Sequence, residues 1–237
     1  MSQKTSAILK FGNPELDHQI GGIPIPTLLL IEGPNDSGKS VLAQQIAYGA
    51  VIGNLRVRYV TTENTFTGLI NHMKNLSYNI KRYVKIGSFK ITELHTGAIE
   101  WDAKIASIYL EAMAEFLKND LKSNVIIVDS LTYIVTHAEE QQILEFFSQF
   151  RNYVDNAKKT IVLTVHPYAF NQDLLIRIRS ICDGHIILSM KEMGNKVLRV
   201  MEVAKLKGAV KSSVPLLSFE VDSAFGIKIL PFTRAKA

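Results

Sequence analysis

Short apolar runs alternate with longer stretches of helical spacing along most of the chain. From position 27 the run TLLLIEG reads as a buried parallel strand, followed by the turn residues GPNDSG and by KSVLAQQIAYGAVIG with helical spacing. RVRYVTT (56–62) predicts the next strand, residues 66–75 a helix, and YVKIGS (83–88) a shorter strand. Between 101 and 121, Ile105, Ile108, Ala112, Met113, Phe116 and Leu117 recur at near-helical intervals, with Lys104, Glu111, Glu115 and Lys118 mainly off the stripe. That spacing predicts a long amphipathic helix. NVIIVDS supplies a third buried strand (124–129), followed by a helix over 139–156, the strand TIVLTV (160–165), a polar loop and helix, and GHIILSM (184–190).

Alternation of helices with nearly all-apolar strands predicts an α/β fold in which a mostly parallel sheet is covered by helices on both faces. Beyond Met190 the pattern changes. VLRVMEVAKL (197–206), VPLLSFEVD (214–222) and FGIKILPF (225–232) are strand-like, with turns at Lys207-Gly208 and around Ser223, and predict an antiparallel C-terminal extension. The 237 residues are 47% hydrophobic and 21% charged, which excludes a disordered chain. With no linker-like tract and no internal repeat, one domain spanning 1–237 is expected.

The apolar stretch 23–31 is interrupted by Pro24, Pro26 and Thr27 and falls far short of the roughly 18–20 residues that span a bilayer. The N-terminus MSQKTSAILKFGNPELD shows no apolar core of a secretory signal, so a cytoplasmic location is expected. The single cysteine, Cys182 in IRSICDGHIIL, reads as a buried small hydrophobe. The net charge of +5 is localised. Residues 1–190 carry 18 basic and 18 acidic side chains, whereas residues 191–237 carry 9 against 4. Such a basic C-terminal part is either a solvated face or a cluster directed at a phosphate or an acidic partner.

The segment GPNDSGKS at 33–40 is a full match to the phosphate-binding P-loop and lies between a buried strand and a helix. Gly33, Pro34, Asn35, Asp36, Ser37, Gly38, Lys39, Ser40 and Val41 are therefore the candidate nucleotide contacts. Backbone N–H groups and the helix dipole favour phosphate there, Lys39 supplies a compact cation, and the Ser40 hydroxyl can ligate Mg²⁺. Asp129 ends the strand VIIVD, where the ligand crevice of an open parallel sheet is expected, and is the second candidate for Mg²⁺, through water. Glu63 follows RYVTT and can reach the same crevice as general base, although a surface glutamate or helix cap would look the same in sequence.

The segment LDHQIGGIPIPTLLLIEGPNDSGKSVLAQQIAYGA resembles the opening of the RecA-like ATPases of the KaiC group. RYVTTENTF is similar to the strand that brings their catalytic glutamate, NVIIVDSLT to their Walker B strand, and VAKLKGAV to their C-terminal K-L-R-G element. The resemblance runs from about residue 12 to 231, and within the group it is strongest to the single-domain members that serve the archaellum, the archaeal flagellum. It implies an ATP- and Mg²⁺-binding protein that forms a homo-oligomeric, hexameric ring. It also implies contact with the archaellum motor ATPase and platform, without membrane insertion of its own. Lys205 and Lys207 are then implied to reach the neighbouring subunit's nucleotide, with Lys211 just beyond the turn.

Three departures from the group affect mechanism. Glu63-Asn64 stands where two consecutive glutamates are usual, Asp36 stands where Gly is common, and Lys207 replaces an arginine and its bidentate fork. Together they imply weak hydrolysis. A DNA-dependent recombinase is a competing reading, but 131–142 and 167–180 hold Arg177 and Arg179 against Glu139, Glu140 and Asp173, which makes no basic funnel for nucleic acid. An autokinase is another, through the hydroxyls of Ser37, Thr61, Thr62 and Thr65. His166 sits where a γ-phosphate sensor or a simple polar strand end would be found.

Overall fold

A computed structural model describes residues 7–97, 100–193, 196–209 and 216–230. The chain opens with a small antiparallel pair, β1 (Ala7–Leu9) and β2 (Ile23–Ile25), bracketing the helix α1 (Pro14–Ile20). Asn13 caps α1 by accepting from the N–H groups of Glu15 and Leu16, a signal that the apolar pattern alone does not reveal. There follow β3 (Leu28–Glu32), α2 (Lys39–Ile52), β4 (Val57–Thr61), α3 (Phe66–Asn75), α4 (Lys81–Lys85), β5 (Phe89–Glu93) and α5 (Ala103–Lys118). The second half contains β6 (Val125–Asp129), α6 (Thr132–Val135), α7 (Glu140–Ala157), β7 (Thr160–Val165), α8 (Gln172–Ile181) and β8 (Gly184–Met193). It ends with β9 (Lys196–Leu206), β10 (Leu216–Asp222) and β11 (Gly226–Leu230).

Nine strands form one sheet in the order β11-β10-β9-β8-β3-β7-β6-β4-β5. Pairing is parallel from β8 through β3, β7, β6 and β4 to β5, and antiparallel from β8 outward through β9, β10 and β11. The expected parallel sheet with an antiparallel C-terminal extension is what forms. Alternate residues of β3 enter opposite cores: Leu29 and Ile31 pack with Leu42 and Ile46 of α2, and Leu28 and Leu30 with Phe147 and Ile178 beneath α7 and α8. Each fully buried leucine contributes about 1.5–3 kcal/mol, so the strand that presents the P-loop is held from both faces.

Two local expectations are corrected. Residues 83–88 are not a strand: Tyr83 and Val84 belong to α4, and Gly87 at φ +74° reverses the chain. The strand starts at Phe89, 1% exposed and paired with Val57. On α5 the core face is Ala106, Leu110, Met113, Ala114 and Leu117, whereas Ile108 is 53% and Phe116 42% exposed. The apolar arc of this helix is wider than the face it packs, and spacing alone does not tell which edge is covered. Residues 214–215 and 231–232 of the expected C-terminal strands lie outside the described residues, as does Lys211.

Candidate functional site

The loop after β3 is shaped by positions that tolerate little substitution. The Gly33 N–H donates to the Val165 carbonyl at 3.2 Å, and a Cβ on Gly33 would meet Ser37 Oγ at 2.5 Å and Leu188 Cβ at 2.9 Å. Gly38 has φ +95°, and Asp36, where glycine is common in the resembling group, has φ +58°. That left-handed conformation is the physical reason for glycine there, and Asp36 adopts it with its side chain exposed. Gly38 is the N-cap of α2 and offers no side-chain cap, so the first N–H groups of this 14-residue helix remain for an anion.

Lys39 Nζ donates to the loop's own Pro34 carbonyl at 2.8 Å, beside Ser37 Oγ donating to the same oxygen at 2.7 Å. The Lys39 pKa is lowered by burial, partly offset by the negative charges of Asp129, Glu63 and Asp36. Asp129 is 2% exposed and accepts three hydroxyl bonds: from Ser40 at 3.1 Å, Thr164 at 2.7 Å and Tyr59 at 2.6 Å. Tyr59 is fully buried, and burial together with the Asp129 charge pushes its phenol well above the usual range. The pKa of Glu63 is raised by burial and by Asp129, with Lys39 pulling the other way.

A cavity of about 600 Å³ gathers Asn35, Asp36, Gly38, Lys39, Ser40, Val41 and Glu63 with His72, Ser130, Arg199 and Val221. The donor set fits Mg²⁺, since Ser40 Oγ is a hard oxygen at the cavity and the Asp129 carboxylate to which it donates keeps acceptor capacity beyond its three hydroxyl bonds for a water of an aquo ion. Among the described residues no three His, Cys, Asp or Glu side chains converge, so the ion would take much of its coordination from phosphate and water.

Sequence reasoning missed Arg199, whose Nε donates to the Asp36 carbonyl at 2.8 Å across a separation of 163 residues. It also missed His72, whose Nδ1 lies 3.0 Å from Gln44 Oε1, and Val221. Only the register of β9 and β10 reveals Arg199 and Val221, since Arg199 faces Phe219 across the sheet. Behind the loop, Glu32 binds Arg179 at 2.9 Å and His185 at 2.9 Å. Burial would raise the Glu32 pKa, but its bonds to His185 and Arg179 outweigh that and leave it lowered.

Lys205 and Lys207 are not brought to this cavity. The cross-strand partner of Lys205 is His185 at the start of β8, at the end of the sheet away from the P-loop. Lys205 Nζ donates to the carbonyls of Cys182 at 2.6 Å and Arg179 at 2.9 Å, with Ser180 at 3.4 Å, and Lys207 Nζ lies 3.5 Å from Asp183 Oδ1. His166 caps a short 3-10 turn by accepting from the Tyr168 N–H, and its pKa is lowered by burial and by Lys39. The hydroxyls of Ser37, Thr61, Thr62 and Thr65 are each bonded to backbone groups. Arg177 pairs with Glu140 and Arg179 with Glu32, which neutralises both arginines of the DNA reading.

The KaiC ATPase family model matches residues 9–234. The archaeal flagellar ATP-binding protein FlaH of Sulfolobus acidocaldarius is 32% identical over 230 residues, 97% of this chain and 100% of that protein. The crystal structure of the flagellar accessory protein FlaH from Methanocaldococcus jannaschii superposes with a TM-score of 0.82 at 26% identity, covering 95% of this chain and 99% of that one. A KaiC-like protein from Pyrococcus horikoshii shares the fold with a TM-score of 0.76 at 23% identity, over 95% of this chain and 100% of that one. Strand order, P-loop and these likenesses agree: the chain belongs to the KaiC family of ATPases and, within it, to the FlaH group.

Proposed function

We propose that this chain is a nucleotide-gated assembly component of the archaellum motor, binding Mg·ATP at the P-loop and hydrolysing it slowly or not at all. The relatives named as archaeal flagellar ATP-binding proteins support the setting. The observation that carries the switch is the bond from Arg199 Nε to the Asp36 carbonyl. Arg199 lies on β9 near the P-loop, and β9 ends at Leu206 on the far side of the sheet, between Lys205 and Lys207. Phosphate in the loop would draw Lys39 from Pro34 and change what Asp36 and Arg199 hold, so one strand joins the nucleotide to a surface available to a neighbour.

Bound Mg²⁺ would supply charge neutralisation for the phosphates. The protein's own part is to fix Ser40 and Asp129 through Tyr59 and Thr164 and to present Glu63 as base. A lone glutamate followed by Asn64, and lysine at 207, favour binding over turnover. The assembly is read as a hexameric ring in the cytoplasm that meets the motor ATPase and platform through protein contacts; among the described residues no helix is long and apolar enough to cross a membrane.

The test is Mg·ATP affinity and turnover on one sample, with and without single-stranded DNA, with Lys39→Ala as control. Tight binding abolished by Lys39→Ala, with slow and DNA-insensitive turnover, is expected. Turnover stimulated by DNA would overturn the reading in favour of a recombinase.

A further inference from the structure

We propose that His72 selects adenine over keto purines at the P-loop cavity, because the hydrogen-bond chain behind it leaves its Nε2 as a fixed acceptor. This inference rests on the nucleotide-binding reading above and names the residue that would read the base. The chain starts at Asp129, 2% exposed, which as a carboxylate only accepts. Tyr59 spends its single proton on Asp129 Oδ2 at 2.6 Å, so toward any other neighbour its oxygen can only accept. Gln44, fully buried, lies against that oxygen: burial and Asp129 push the Tyr59 phenol up, and Gln44 acts against them. Its Nε2 is buried and has no other partner among the described residues. An Oε1 turned that way would set two acceptors face to face, so Nε2 faces Tyr59 and Oε1 faces outward.

That Oε1 is the atom that meets His72 Nδ1, at 3.0 Å. Since an amide oxygen only accepts, Nδ1 carries the proton, and the neutral ring is left with a bare Nε2. The direction of each bond is thus passed from the buried carboxylate through β4 and α2 to a side chain on α3. His72 is exposed and lines the cavity of about 600 Å³ together with Lys39, Ser40, Val41, Arg199 and Val221. With Nδ1 committed to Gln44, Nε2 is the polar atom that this ring has left for a ligand.

Ser40 and Gln44 are one turn apart on the same face of α2, about 6 Å along its axis. Ser40 sits at the phosphate end, bonded to Asp129 and beside Lys39 and Glu63, whose charges act on one another there. With the phosphates held by the loop, the rest of a nucleotide extends along the remaining walls. His72 stands there one helical turn further on, and Val221 offers an apolar face to a ring. Adenine presents an exocyclic amine, a donor, to a bare nitrogen, whereas a keto purine presents an acceptor and leaves both groups unpaired. Ribose hydroxyls rotate and would meet either tautomer, so only the base can exploit a fixed acceptor.

The test measures the affinities of Mg·ATP, Mg·ITP and Mg·deoxy-ATP for the full chain by calorimetry, in wild type, His72→Ala and Gln44→Met. Inosine triphosphate keeps the phosphates and ribose of ATP and carries a keto oxygen in place of the amine. Wild type is expected to prefer ATP over ITP by about tenfold, the worth of one hydrogen bond gained and one facing pair of acceptors avoided, and to bind deoxy-ATP as tightly as ATP. His72→Ala should bring ATP down to the affinity of ITP. Gln44→Met, which keeps His72 but frees its tautomer, should lower the ratio in the same way. A variant that merely loosens the P-loop weakens both nucleotides alike, so an unchanged ratio in His72→Ala overturns the inference whatever the absolute affinities do. Equal binding of ATP and ITP by wild type also overturns it, as does a His72-dependent loss with deoxy-ATP, which would assign the contact to the ribose. If wild type binds none of the three, the nucleotide-binding reading falls and this inference with it.

Discussion

Lys205 has two incompatible uses, as a finger extended to a neighbour's nucleotide or as a clamp on its own chain, and Lys205→Ala separates them. Its ammonium donates to the Cys182, Arg179 and Ser180 carbonyls where α8 ends, groups that a helix otherwise leaves without partners. A hydrogen bond to a charged group is worth about 1.5–3 kcal/mol, and a cation at a helix C-terminus about 0.3–1 kcal/mol. Two short bonds and one long one at a half-buried site place the loss at about 2–3 kcal/mol after solvent screening. For a chain of this length each kcal/mol moves Tm by about 2–4 °C, so a fall of about 4–12 °C is expected, with a matching shift of the urea midpoint. Lys205→Met, which keeps the stem and loses the charge, should recover less than half. A loss below about 0.5 kcal/mol with self-association abolished would refute the clamp and restore the finger.

Three further outcomes follow from the geometry. Gly33→Ala drives a methyl into Ser37 Oγ, Leu188 Cβ and the Leu188 carbonyl and should lower Mg·ATP affinity more than about 100-fold in calorimetry, because the β8 backbone must yield as well as the Ser37 side chain. Glu63→Gln should cut whatever ATP turnover exists by about 10²–10⁴ with little change in affinity, and in wild type the acid limb of turnover should lie above the ordinary carboxylate value, since the Glu63 pKa is raised. Burial would raise the Asp120 pKa, but Ser123 and Arg58 outweigh it and hold it at about 2, against 3.8 unfolded; this adds about 2 kcal/mol of stability that is complete above pH 4 and lost as pH falls toward 2. Urea unfolding at pH 5 and pH 2.5 measures it, and Arg58→Met should flatten the difference.

The strand, loop and first helix of the site are legible from sequence because they are contiguous: TLLLIE, GPNDSG and the helix after Lys39 each carry their own local signal. Asp129 is legible for the same reason, at the end of an all-apolar run. The residues that hold Asp129 are not, since Tyr59 and Thr164 lie 70 and 35 positions away and meet it only through the order β4-β6-β7. Arg199 is hidden by a longer separation. For Lys205 the alternation of a strand gives its side of the sheet but not the carbonyls of α8 lying over that side. Residues 83–88 mislead because two apolar side chains beside a glycine turn satisfy a short strand and a single helical turn equally.

The strand β3 that presents the P-loop pairs with β7 and β8 and with no strand nearer to it in sequence. During synthesis a chain that has emerged through α5 therefore carries the whole phosphate-binding sequence on a strand with no neighbour on either side. The first of those neighbours is complete at Val165, 133 residues after Glu32, roughly 7–27 s later at about 5–20 residues per second. A chain truncated before β7 is therefore expected to bind Mg·ATP poorly, and full support of the P-loop strand awaits β8, which ends at Met193.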